Sequence, residues 1–226
     1  MGLDLYSGSL KRFYARDFLT PLQKWARDNG EQQETILLGG SLSTDNADQV
    51  AIRFIDEIVS AGIELEHWDE NAASYAGIQY PRDTVMALVN ACVYTSMGQD
   101  AFPIWTGEEA DYSSPEHYLE SGAVGVEAHS VLPSLQTFAG RMEHPLGGMT
   151  VITSTSQLRA DLETIRTNVF ENEVNPARWI VEGPPNALKR GDSPERVRQS
   201  AQYAYGALVK MLAFSDATGL PIMFDE

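Results

Sequence analysis

Near the C-terminus, Val197, Ala201, Ala204, Leu208 and Met211 recur at steps of 4, 3, 4 and 3. That step pattern lays one apolar stripe along a helix, and the stripe has to be buried against a second layer. Asp192 or Ser193 stands where a cap belongs, Pro194 suits the first turn, and Gly219 stops the run. Pro221-Ile222-Met223-Phe224 then reads as a terminal strand. The material for a core is present: 43% of the 226 residues are hydrophobic and 21% charged, which excludes wholesale disorder.

The same rules place the other elements. Leu3 and Leu5 alternate with Asp4 as in a short strand, and a helix should follow. Thr20-Pro21 has the form of a cap followed by proline, with Leu22, Trp25 and Ala26 at helical spacing up to Asn29-Gly30. Thr35 to Leu38 predicts a buried strand. From about Asp45 to Ala61, Ala51, Phe54, Ile55, Ile58 and Val59 share a helical face, with Ser43 and Thr44 as capping candidates and Gly62 as the stop. Ile63, Leu65 and His67 alternate with Glu64 and Glu66 like a half-exposed strand. Pro81 opens a helix that runs to about Met97, before Gly98. Ser114-Pro115 predicts a helix of a turn or two, Ala123 to His129 a strand, and Met149 to Thr153 another. Leu158, Leu162, Ile165 and Val169 form a second helical stripe, and Trp179-Ile180-Val181 reads as a strand before Gly183-Pro184-Pro185.

Without a regular alternation of strands and helices, the expected class is α+β: a single mixed domain over residues 1–226, with helices packed on a small sheet. The single cysteine, Cys92, lies in the apolar run Val85, Met86, Leu88, Val89, Val93, which predicts a buried thiol. The opening residues lack a secretory pattern, Tyr6 stands where myristoylation needs Ser or Thr, and no stretch is apolar enough to span a bilayer. A cytoplasmic location without membrane contact is the expectation.

Charge is the most uneven property of the chain. The formal total is −16, and residues 54–140 hold 14 Asp and Glu against one base, Arg82, so this window carries −13 of it. Such a surplus argues against direct binding to a nucleic-acid backbone, which requires clustered Lys and Arg, and favours basic partners. Within the window, Glu108, Glu109, Asp111 and Glu116 surround Trp105 and Tyr112, in a segment with Pro103, Gly107 and Pro115 that reads as an exposed loop. Aromatic anchors among acids predict a docking surface for a basic protein. A solvated face that only confers solubility accounts for the same residues. The calcium-loop pattern is absent.

Catalytic constellations are incomplete. His117 and Glu120 lie three apart, and Glu127 and His129 would share a strand face, so the four could converge across Ser121-Gly122 as a metal or acid/base site. Their spacing matches no established zinc pattern. His67 and His144 each directly follow a glutamate, which turns the paired side chains apart. Gly39-Gly40-Ser41-Leu42-Ser43 falls one glycine short of a nucleophile elbow, and a turn with a capping hydroxyl accounts for it. Neither the dinucleotide fingerprint nor the phosphate-binding loop occurs, so no cofactor is expected. Asp69-Glu70 or Glu108-Glu109 could serve glycoside chemistry only with correctly spaced partners.

Gly2-Leu3-Asp4-Leu5-Tyr6-Ser7-Gly8-Ser9-Leu10, followed by Arg12-Phe13-Tyr14, resembles the start of some bacterial proteins of unknown function. The resemblance covers about the first fifteen residues and implies no activity. Phe13 and Tyr14 are read as packing aromatics. The leading expectation is a non-enzymatic acidic bacterial protein that neutralises a basic protein partner, in the manner of an inhibitor or immunity protein. The alternative is a small metal-assisted hydrolase using His117, Glu120, Glu127 and His129, and an assembly subunit is a third possibility.

Overall fold

A computed structural model describes residues 3–15, 44–110, 118, 120–173, 175–181 and 183–225. The chain is a mixed α+β fold on a six-stranded sheet, as its patterning predicts. The strands are β1 (Leu3–Ser7), β2 (Ala76–Tyr80), β3 (Ser130–Leu132), β4 (Ala139–Glu143), β5 (Met149–Ser154) and β6 (Ile222–Asp225), in the spatial order β2-β1-β6-β3-β5-β4. All neighbours are antiparallel except β3 and β5. The described helices are α1 (Leu10–Tyr14), α2 (Thr44–Ser60), α3 (Arg82–Ser96), α4 (Ala123–Val126), α5 (Thr155–Asn168), α6 (Pro176–Trp179) and α7 (Pro194–Thr218).

Strand alternation divides the core between the two faces of the sheet. Leu5, Val131, Ile222 and Phe224 meet α3, α5 and α7 on one face, whereas Leu132, Ile152 and Met223 meet α1 and α2 on the other. The α7 stripe is buried at all five positions, and so is the α5 stripe from Leu158 to Val169. On α2, Ala51, Phe54 and Ile58 are buried while Val59 is 53% exposed, so the apolar face is narrower than its sequence suggests. Cys92 is buried as expected, and so is Tyr14, whose ring packs edge-on against Phe13 and Phe54. At Gly206, α7 passes so close to α6 that a Cβ would lie 2.9 Å from Ile180 Cγ2 and from the Pro176 carbonyl oxygen. Any larger residue there would have to push the two helices apart.

Three expected strands are replaced. Residues 63–66 alternate in burial, His67 is exposed instead of facing inward with Ile63 and Leu65, and the segment forms no ladder: Glu66 N–H donates to the Pro133 carbonyl, and Glu64 is held by Ser134 and Gln136 side chains. Residues 123–126 are a helical turn opened by Gly122 in the left-handed region, so the strand begins only at Ser130. Pro176–Trp179 is a short helix whose Asn175 side chain accepts from Arg178 N–H. Two strands, β2 and β4, lack strong sequence patterning and form through their partners. The segments around Thr20-Pro21, Thr35 to Leu38, Gly39 to Ser43 and Ser114-Pro115 lie outside the described residues.

Candidate functional site

The acidic loop after α3 is held to the fold by its backbone. Asn90, 5% exposed on α3, donates through Nδ2 to the Glu108 carbonyl at 3.0 Å and accepts at Oδ1 from Ala110 N–H at 2.8 Å. Trp105 N–H donates to the Asp192 carbonyl, and Gly191 N–H donates to the Trp105 carbonyl, at 3.0 and 2.8 Å. These bonds leave Glu108 and Glu109 exposed on a segment with a set course.

The structure corrects the reading of Trp105 as an exposed anchor. Its indole is 6% exposed and lies in the same core as α3 and α7. A tryptophan buries more apolar area than any neighbour in this stretch, so it turns inward although acids surround it in sequence. The exposed apolar side chain is its neighbour Ile104, at 61%. Arg82 Nη2 lies 3.9 Å from Glu109 Oε1, both well exposed, which is too loose to neutralise the loop. Asp111, Tyr112 and Glu116 lie outside the described residues.

The described acids of the window do not form one surface. Asp56, Glu57, Glu64, Glu66 and Asp69 belong to segments anchored by Phe54, Ile58 and Trp68 in the α1–α2 layer. Glu108, Glu109, Glu120 and Glu127 belong to segments anchored by Trp105, Ala123 and Val126 on the opposite side of the sheet.

On that second side, Tyr118 O–H donates to Glu127 Oε2. Glu127 is exposed as a residue, yet partial shielding of its carboxyl raises its pKa; the Tyr118 bond opposes this, nearby Glu109 adds to it, and His129 and Arg141 pull it down. His129 Nδ1 accepts from Val151 N–H at 2.9 Å, which assigns the neutral ring's proton to Nε2. The His129 backbone also bridges two strands, donating to the Val151 carbonyl and accepting from Phe224 N–H. Glu127 and His129 are therefore neighbours in electrostatic range, placed by a helical turn and not by a strand face. Glu120 is exposed, and His117 lies outside the described residues. Among the described residues, no three His, Cys, Asp or Glu side chains are grouped to hold a metal ion.

Comparison with protein-family models, curated proteins and solved structures finds no match to this chain. Among the described residues, no helix is long and apolar enough to cross a membrane. Sequence reasoning missed Ile104, Asn90 and Tyr118. Asn90 carried the clearest signal, since a lone amide inside an apolar helical run has to find partners when it is buried.

Proposed function

We propose that this chain is an acidic binding protein that engages a basic protein partner through the 100–109 segment, in the manner of an inhibitor or immunity protein. One observation carries the reading: a single backbone-clamped segment presents Ile104, 61% exposed, together with the exposed carboxylates Glu108 and Glu109 a few residues on. An exposed aliphatic residue flanked by charge is the composition of an interface centre with its polar rim. Rim carboxylates act chiefly on the rate of encounter, and salt screens that action.

The test is capture of basic proteins from lysate of the source organism at low salt, with association rates then measured on the captured species. Glu108→Lys/Glu109→Lys should slow association about tenfold at low salt, a factor that shrinks as salt rises. Ile104→Ala should speed dissociation and leave the association rate near wild type. An association rate indifferent to both salt and charge reversal would sink the proposal.

A second reading, a small hydrolase using His117, Glu120, Glu127 and His129, is favoured by the raised proton affinity of Glu127 beside Tyr118 and His129. Its metal-assisted form predicts a rise in thermal midpoint on adding zinc, manganese or calcium. An unchanged midpoint with all three removes that form.

A further inference from the structure

A groove of about 500 Å³ runs between the 99–103 bend and the first half of α7, lined by Asp100, Phe102, Pro194, Arg198, Gln199 and Gln202, with Glu195 on its rim. We infer that it receives an extended, arginine- or lysine-bearing segment of the basic partner. This inference rests on the binding function proposed above and names where and how the partner's chain is read.

The floor is apolar and braced. Phe102, 9% exposed, stacks on Phe170 at 6.0 Å and 23°, and the Arg198 guanidinium sits 5.7 Å from the Phe102 ring centroid. Arg198 stands three residues after Glu195, yet its Nη2 pairs with Glu173 Oε2 at 3.3 Å instead. Glu195 is thereby left without a cationic partner among the described residues. Asp100 is too, since its Oδ1 accepts only the Phe102 N–H, at 3.0 Å. Glu195 also answers the positive end of α7, so the helix terminus offers little to an anion.

Asp100 and Glu195 outnumber Arg198, whose charge is shared with Glu173, so the lining disfavours phosphates and carboxylates, and the polar walls suit no purely apolar ligand. A cationic peptide meets the two acids, the apolar floor and the amides, with its charges held at the carboxylates and away from Arg198. Its charged ends face Asp100 and Glu195, its aliphatic stems lie on Phe102 and Pro194, and its backbone can both donate to and accept from the Gln199 and Gln202 amides. The groove lies within the range of ligand pockets, about 300–1,000 Å³. It is continuous with the docking segment, because Asp100 and Phe102 begin the stretch that leads through Ile104 to Glu109, and Trp105 is bonded to residues 191 and 192 just before α7.

The experiment titrates the full ¹⁵N-labelled chain with Ac-Gly-Arg-Gly-Arg-Gly-amide, with the glutamine analogue of that peptide as control. Saturable shifts are expected at Phe102, Arg198 and the Gln199 and Gln202 side-chain amides. Affinity should fall at least fivefold in Asp100→Asn/Glu195→Gln and stay unchanged in Asp56→Asn/Glu143→Gln, which removes two exposed carboxylates on α2 and β4, away from the groove and the docking segment. Saturation at residues 108–109 with a silent groove would overturn the groove and leave the basic-partner reading standing. Equal response to the glutamine peptide, or no saturation at all, would also overturn the groove, while the partner-capture measurement judges the function separately.

Discussion

Phe170→Ala is expected to lower the stability of the fold by about 3–5 kcal/mol, the range for emptying a buried phenylalanine site. Phe170 is fully buried just after α5 and touches three other aromatic rings. It stacks on Phe102, lies 5.2 Å from the Trp179 ring and meets Tyr205 edge-on at 5.4 Å. These rings come from the 99–103 bend, α6 and α7, so one side chain joins three segments distant in sequence. Aromatic pairs add about 0.5–1.5 kcal/mol each beyond area burial. Urea unfolding followed by tryptophan emission measures the loss, and Phe170→Leu should recover a good part of it. A loss below about 1 kcal/mol would show that the cluster is peripheral to stability. The variant should also weaken the arginine-peptide response, because Phe102 loses the ring behind it.

The elements that were legible in the sequence are those whose burial is periodic or continuous along a single segment. The stripe from Val197 to Met211 and the stripe from Leu158 to Val169 show periodic burial over several turns, whereas the run opened by Pro81 was legible through its apolar composition, being buried almost without a break from Thr84 to Val93. β2 and β4 escaped because Ala-Gly-Ile-Gln-Tyr and Ala-Gly-Arg-Met-Glu are weak strand formers by composition. Their conformation comes from register with β1 and β5, and a partner strand leaves no mark on a single segment. In β2 the glycine has a packing reason: a Cβ at Gly77 would stand 3.2 Å from the Tyr6 ring. The helix at Pro176 was readable in principle, since Asn175-Pro176 repeats the cap-plus-proline form, but Trp179-Ile180-Val181 is rich in strand formers and pointed the other way.

The candidate site was legible in its charges and not in its anchors. Glu108 and Glu109 are exposed as expected, because a carboxylate with no close ion pair stays in water. Which large side chain accompanies them depends on the space beneath the loop. Trp105 fills that space, so Ile104 faces out. The charge window divides for a related reason. Sequence proximity kept Glu57 and Glu109 in one count, whereas Phe54 and Trp105 anchor their segments on opposite sides of the sheet. A surface that steers a partner therefore draws on part of the −13, and the field is directional.

The second large effect is set by pH through Asp161. This carboxyl, 5% exposed on α5, accepts from Gly125 N–H at 3.0 Å and from Gln157 Nε2 at 2.9 Å. It pins the α4 turn so closely that a Cβ on Gly125 would lie 2.6 Å from Oδ2. Burial pushes its pKa from 3.8 up to about 6, against the pull of the Gln157 and Gly125 bonds. A carboxyl whose folded pKa lies above its unfolded value holds its proton more tightly when folded. Its contribution to stability is complete below about pH 4, declines as pH rises towards 6, and is gone above that. That rise in pKa corresponds to about 3 kcal/mol. Asp161→Asn keeps both bonds, accepting from Gly125 through Oδ1 and donating through Nδ2 once the Gln157 amide turns, and it carries no charge. The variant should match the wild type near pH 4 and exceed it at pH 7.5 by as much as about 3 kcal/mol. Thermal midpoints across this range give the comparison, and taking the difference between the two proteins removes the contributions of His144, Glu127 and the overall charge. Parallel curves from pH 4 to 7.5 would mean that Asp161 titrates as an ordinary surface carboxylate.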